Sequence, residues 1–207
     1  MARPRSAGYD DQREQILDAA AQLFAQHGFT ATTMNEVAAA CGVSKATLYH
    51  YVEDKHDLLA QITASHIARL EAVVAGVAAL KLAPEAHLRE LVLRFMQAYA
   101  SAEHRHRVLT EDEKFLAEPE RAAVRAAQRR VVTAFADAVG ALRPDLRADA
   151  LTKPLAMLLF GMINWTFTWL KPGGTLSHET LAPLVAELFF GGLPAVRPPA
   201  LTKARAA

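Results

Sequence analysis

One cysteine, Cys41, stands in 207 residues, so no disulfide can form within the chain. There is no glycine-rich phosphate loop, no nucleophile elbow and no zincin motif, and with them go the commonest sequence marks of nucleotide-binding and hydrolytic enzymes. Metal-ligand spacing is missing too. His104 and His106 are two apart and would not share a helical face, although Glu103, Asp112 and Glu113 lie close by. No metal and no cofactor is expected. Basic residues near the N-terminus have no apolar stretch behind them, so no signal peptide is expected and a cytoplasmic location follows. The longest apolar run, from Pro154 to Leu170, is about the minimum length of a membrane span, roughly 17 residues. Asn164, Thr166 and Thr168 interrupt it, and Pro172-Gly173-Gly174 closes it. No second run of that kind is evident, and a buried helix rather than a membrane segment is expected.

Charge of one sign is also lacking. The net charge is +1. In the first 60 residues Arg3, Arg5, Arg13, Lys45 and Lys55 face eight acids, a deficit of three. A nucleic-acid reader with that balance must segregate its charges. Asp10, Asp11, Glu14 and Asp18 fall on one early helix, away from Lys45 and Lys55.

What the chain has is helix-forming composition: 52% apolar residues, 22% charged ones and no strand-like runs. An all-α fold of about nine helices is expected. Residues 1–9 read as a disordered arm. Asp10 to His27 carries Ile16, Leu17, Ala20, Leu23 and Phe24 at helical spacing, stopped by Gly28. Thr32 or Thr33 caps a short helix from Met34 to Ala40, with Glu36 at capping-box distance from Thr33. Ser44 caps a second, Lys45 to Tyr51. A long helix follows Asp54, to about Leu80. Pro84 and Pro119 mark later helix starts, the second before a helix ending near Leu142. Between them Glu103 to Ala117 reads as a short, irregular helix. Asp149 to Leu170 forms an apolar helix, Ser177 caps the last one, and Gly191 begins a frayed tail. The expected domains are a helix-turn-helix head at 10–53, a ligand-binding and dimerisation domain at 54–192, and a tail at 193–207.

Residues 33–51 carry the function. Two helices of about two turns each meet at a turn containing Gly42, where a positive φ costs glycine nothing. Met34, Val37, Ala38, Val43 and Leu48 would share one core. Lys45, Thr47, Tyr49 and His50 would then lie on the other side of the second helix. A helix of that kind fits the DNA major groove, and its N-terminus attracts phosphate. Lys55 and Thr33 are candidates for phosphate contacts. An ordinary helical hairpin shares the small residues and the turn glycine, so spacing alone leaves both readings open.

The run from Ile16 to Leu59, with LFAQHGF, TMNEVAAACGVSKATLYHYV and DKHDLL, resembles the N-terminal domain of TetR-type regulators. The resemblance implies an all-helical homodimer whose three-helix heads bind palindromic operator DNA. It implies a larger C-terminal domain whose small-molecule effector releases the DNA. By the same resemblance Ser44, Lys45, Ala46 and Thr47 fall at base- or phosphate-contacting positions, Tyr49 and His50 at contact positions, and Lys55 at a phosphate clamp. Val52 departs from the family, which often has phenylalanine there. The rival reading is an all-helical ligand-binding enzyme without DNA binding, but no acid, base or nucleophile constellation supports it.

In the C-terminal half, an apolar helix and a leucine-striped last helix suggest a two-fold interface of four helices. Leu155, Leu159, Phe160, Leu181, Leu184 and Leu188 are the candidates. Met96, Tyr99, Phe115, Met162, Trp165 and Trp169 are candidates for a ligand cavity, with walls that are apolar and a few polar handles. Asn164 could bond across the dimer, to ligand or to solvent. VLTEDEKFL (108–116) and MLLFGMINWTFTWLKPGGTLS (157–177) resemble a subgroup of these regulators that senses acyl-CoA or aryl-CoA thioesters. A CoA thioester is therefore the working expectation for the effector. Arg121, Arg125, Arg129 and Arg130, on one helix, are either a solvated face or partners for CoA phosphates.

Overall fold

A computed structural model describes residues 7–148, 150–171 and 173–197. Ten α-helices follow one another among the described residues: α1 (Ala7–His27), α2 (Met34–Ala40), α3 (Lys45–Tyr51), α4 (Lys55–Ala79), α5 (Pro84–Ser101), α6 (Glu103–Glu111), α7 (Glu118–Leu142), α8 (Asp145–Ala148), α9 (Thr152–Asn164) and α10 (His178–Gly192). Short 3-10 turns cover Glu113–Phe115, Trp165–Thr168 and Leu193–Ala195. No strand occurs among the described residues.

Three expectations about element ends need correction. Helix α1 begins at Ala7, so residues 7–9 are helical rather than part of an arm; the rest of the expected arm, 1–6, lies outside the described residues. The apolar segment does not stay helical to Leu170. It leaves the α-helix after Asn164, where Thr166 Oγ1 donates to the Ile163 carbonyl (2.9 Å) and Thr168 Oγ1 to the Trp165 carbonyl (2.7 Å). Those hydroxyls compete with the helical ladder, and four aromatic or β-branched residues in a row have poor helix propensity. At the other end, α10 runs through Gly192 and the next turn buries Leu193, so the expected tail starts later; residues 198–207 lie outside the description.

A further correction concerns membrane-length helices. At 13 residues α9 cannot cross a bilayer, whereas α4 has the length and apolarity to do so. Helix α4 nevertheless carries Asp57, His66, Arg69 and Glu71, and it buries Leu58, Leu59 and Ile62 fully. That is the pattern of a core helix.

The chain packs as two compact units. The first takes the described residues up to Arg69 together with Ala102–Ala127; the second takes Leu70–Ser101 and the described residues from Gln128 onward. Helix α6 thus packs along α1, although the boundary expected at residue 53 assigns it to the larger domain. In the first unit Ile16, Leu17, Ala20, Ala21 and Phe24 of α1 form a fully buried stripe. In the second, α5 contributes Leu88, Leu91, Val92, Phe95 and Met96, α9 contributes Leu159 and Ile163, and α10 contributes Ala182 and Val185. Phe95, Phe135 and Phe160 meet in a cluster with ring centroids 4.8 Å (Phe95–Phe135) and 4.6 Å (Phe135–Phe160) apart. Edge-to-face and offset contacts of this kind add to the stabilisation from area burial.

Candidate nucleic-acid interface

The geometry around α3 is set by local chemistry. At the start of α2 the Glu36 N–H donates to Thr33 Oγ1 (3.3 Å) and the Thr33 N–H donates to Glu36 Oε2 (2.7 Å), a reciprocal cap. These bonds hold the Glu36 carboxyl below its ordinary range. At the end of α2 the Gly42 N–H reaches the Ala39 carbonyl (3.1 Å) and the Val43 N–H reaches back to Ala38 (3.0 Å). With Gly42 at φ +65 this pair of bonds is a Schellman closure, available to glycine without strain. The chain then turns into Ser44, whose Oγ accepts from the Thr47 N–H (3.0 Å) and caps α3.

Leu48 is the inward anchor of α3 and is fully buried with Val37, Ala38 and Val52. Val52, the departure from the family pattern, ends α3 as its C-cap and fills the core where a phenylalanine would be larger. Ser44, Lys45, Ala46, Thr47, Tyr49 and His50 all lie exposed. The Lys45 ammonium sits 5.9 Å from the centre of the Tyr49 ring, one helical turn away. The polar side of α3 therefore stands free in this unit, as its sequence pattern requires.

Two candidates are engaged in ways the sequence did not reveal. The Lys55 ammonium donates to the carbonyls of Thr30 (3.1 Å) and Thr32 (3.0 Å) and lies 4.7 Å from the centre of the Phe29 ring. Two of its three protons are used in tying the start of α4 to the loop after α1. Thr33 Oγ1 donates its proton to Glu36 Oε2 (2.8 Å), so this hydroxyl is engaged within the cap of α2.

The acid excess of α1 also finds a partner. The Arg105 guanidinium, from α6, donates to Asp18 Oδ1 (2.7 Å), Glu14 Oε2 (2.9 Å) and Ser65 Oγ (3.2 Å) while its side chain is 11% exposed. No local pattern could have found a pair 87 residues apart. Beside it His66 Nε2 and His106 Nδ1 lie 3.4 Å apart, both buried. Burial pushes His66 down to about 3, reinforced by the positive charge of His106, Arg105 and Arg69. Unfolded, the same imidazole titrates near 6.5, so between about pH 6.5 and 3 the unfolded chain binds a proton that the folded chain refuses. Stability contributed by the neutral ring is complete above about 6.5 and falls on acidification, by about 2 kcal/mol from pH 7 to pH 5. Asp112 acts in the opposite sense, since burial and then Glu111 push it up to about 6. Comparison with His66→Gln cancels the Asp112 contribution: urea unfolding at the two pH values should show the variant losing about 2 kcal/mol less than the wild type. Equal losses would contradict the neutral buried ring.

The ligand candidates divide between the units. Phe115 lies in the first, stacked on Phe29 with centroids 5.1 Å apart, and the other five lie in the second. Met96 and Tyr99 are packed in the core of the second unit. Tyr99 donates its hydroxyl proton to Asn164 Oδ1 (2.7 Å), and burial pushes its ionisation up, so it remains a donor. Asn164 therefore has an intrachain partner. Met162 is half-buried, and Trp165 and Trp169 are about half exposed. Of the four arginines, Arg121 pairs with Glu118, Arg125 with Glu113 (2.5 Å) and Arg130 with Glu71 (2.6 Å).

The interface candidates divide by burial. Leu155, Leu159, Phe160 and Leu181 are buried in the subunit's own core. Exposed apolar residues include Met157 and Leu158 of α9 and Leu184 and Leu188 of α10, the last two 50% and 71% exposed. Leu184, Leu188, Gly191 and Gly192 line an open apolar groove with Glu187 at its edge.

Residues 16–62 match the family described as "Bacterial regulatory proteins, tetR family", and residues 81–193 match "Tetracyclin repressor-like, C-terminal domain". The chain belongs to the TetR family. This TetR-family protein is 31% identical to the HTH-type transcriptional regulator AcrR of Shigella flexneri, over 81% of this chain and 84% of that one. It is 27% identical to the HTH-type transcriptional repressor KstR2 of Mycolicibacterium smegmatis, over 88% and 90%. Among solved structures, a TetR-family transcriptional regulator from Bordetella parapertussis 12822 is similar with a TM-score of 0.83 and 34% identity, covering 89% of this chain and 97% of that one. Apo AibR is similar with a TM-score of 0.73 and 26% identity, covering 86% and 97%. The TetR-family chain is a helix-turn-helix transcriptional repressor, and the families and relatives it matches are regulators.

Proposed function

We propose that α3 reads operator DNA in the major groove, that two copies of the chain dock on the half-sites of a palindrome, and that a CoA thioester releases them. The observation that carries this is the outward polar face of α3, fixed from behind by buried Leu48 and at its ends by Ser44 and Val52. Lys45 and Thr47 are the base-edge readers, as residues near the start of a helix entering the groove. Ser44, Ala46, Tyr49 and His50 complete the contact surface, and Lys55 supplies its remaining proton to a backbone phosphate. The outward leucines of α9 and α10 support two-fold pairing, which gives each half-site one reading helix. A chain that binds operator DNA works in the cytoplasm, and that location belongs to the same reading.

The effector reading draws on the segments 108–116 and 157–177. It also draws on AibR, which has been solved in complex with isovaleryl coenzyme A and operator DNA. Of the ligand candidates in the second unit, Met162, Trp165 and Trp169 lie outside the packed core, and they are assigned to the acyl or aryl chain. Release is a population shift, in which ligand favours a form whose two α3 helices no longer match successive grooves.

Mobility shifts on the DNA upstream of the protein's own gene test the head. Lys45→Ala, Tyr49→Ala and Lys55→Ala should each weaken binding, and each lost phosphate contact should lower the slope of log K against log salt by about 0.9. Lys45→Ala should also alter base preference. Unchanged slopes in all three variants would refute this docking. For the effector, a bound acyl- or aryl-CoA at a hundred times its Kd should add about 2.7 kcal/mol to stability, raise Tm by several degrees and release the DNA. A panel that moves neither quantity removes the CoA assignment and leaves the DNA reading standing.

A further inference from the structure

Tyr9 lies in the first turn of α1, a stretch whose sequence suggests only a disordered arm. Its ring stacks on Tyr51, with centroids 4.7 Å apart and planes inclined by 28°. It meets His50 edge-on at 6.2 Å, and His50 meets Tyr51 edge-on at 5.7 Å. Three rings from two helices, with Tyr9 41 and 42 positions from His50 and Tyr51 in sequence, thus form one cluster at the C-terminal end of α3. Both partners of the contact are intrinsically weak. Helix α3 has seven residues, too few to be stable alone, and the first turn of a terminal helix frays unless it is tied down. Ser44 fixes the start of α3 and Leu48 its middle; the ring cluster fixes its last turn, which carries the exposed His50.

We propose that Tyr9 is a positioning residue for the reading helix: its ring clamps Tyr51 and His50 and holds the last turn of α3 in the orientation that DNA requires. The role rests on the reading of α3 as the operator-contacting helix. Tyr9 acts through stacking, so it contributes affinity without adding a phosphate contact of its own. Aromatic pairs of this geometry carry enough free energy to change an equilibrium about fivefold.

The test uses the full chain as its dimer, titrated onto duplex DNA from upstream of its own gene at several salt concentrations. Tyr9→Ala should bind about fivefold more weakly at every salt concentration, with the salt slope unchanged. Tyr9→Phe, which keeps the ring, should stay within about twofold of the wild type. In a Tyr51→Ala background the further change Tyr9→Ala should have almost no effect, since the stacking partner is already gone. Wild-type affinity in Tyr9→Ala overturns the clamp. So does a Tyr9→Phe variant as weak as Tyr9→Ala with a slope reduced by about 0.9, which would mark a hydroxyl-to-phosphate contact. Additive losses in the double variant overturn it as well, because they show no coupling between the rings. A loss of active fraction or Tm with unchanged affinity per active dimer marks a purely structural residue and also overturns it. Failure of the wild type itself to bind any such duplex would overturn the operator reading, and the clamp with it; the other outcomes leave that reading intact.

Discussion

A chain carrying Leu158→Asp and Leu188→Asp should sediment as a monomer and lose at least a hundredfold in operator affinity. Both side chains are mostly exposed within one subunit, at 65% and 71%, so replacing them leaves the subunit core intact. Leu158 of α9 and Leu188 of α10 are exposed together with Met157 and Leu184 of the same two helices, and exposed large apolar side chains in such number mark an association surface. Glycines at 191 and 192 let another backbone approach closely. In a two-fold interface each substitution is met twice, and a carboxylate placed there must be desolvated without a partner, at several kcal/mol. Losing the pair loses bivalent binding, which is worth about 10² to 10⁴ in affinity. Analytical ultracentrifugation and a mobility shift read the two effects together. A double variant that remains dimeric at micromolar concentration would move the interface elsewhere.

Phe95→Ala should cost about 4 kcal/mol and lower Tm by roughly 8 to 16 °C. Phe95 is fully buried and touches the rings of Tyr99, Phe135 and Phe160. Truncation removes the transfer free energy of a phenyl group and leaves a hole that neighbouring rings cannot close without leaving their rotamers. By contrast, Arg125→Ala and Arg130→Ala should change stability by less than about 1 kcal/mol, because their ion pairs are exposed. Thermal unfolding at one protein concentration, fixed because dimers unfold in a concentration-dependent way, measures all three. A Phe95→Ala change below about 1 kcal/mol would mean that the ring cluster is not the core of the second unit.

The helix-turn-helix was legible because its boundaries are local. Thr33 with Glu36, Gly42 and Ser44 each fix a helix end through atoms two to four residues away, and α2 and α3 begin and end where those residues place them. The end of α9 was not legible. Apolar composition continues to Leu170, but hydroxyls of Thr166 and Thr168 turn back onto the backbone and close the helix early. Nor could periodicity separate Leu159 from Leu158. Helix α9 is apolar on both sides, and only the packed structure shows that the first is buried by its own subunit while the second faces outward. Contacts between residues far apart in sequence were invisible for the same reason. Arg105 with Asp18 and Glu14, and Tyr9 with Tyr51, join segments that no window of sequence contains together.

Methylation protection of guanine N7 on an operator duplex addresses the reading helix most directly, since N7 lies in the major groove. Two protected patches related by a dyad, about one helical turn or a multiple apart, are expected for the wild type. Both should vanish when Lys45, Thr47, Tyr49 and His50 are changed together to alanine. Sequence-specific binding with every N7 still reactive, or patches that survive the fourfold change, would contradict entry of α3 into the groove.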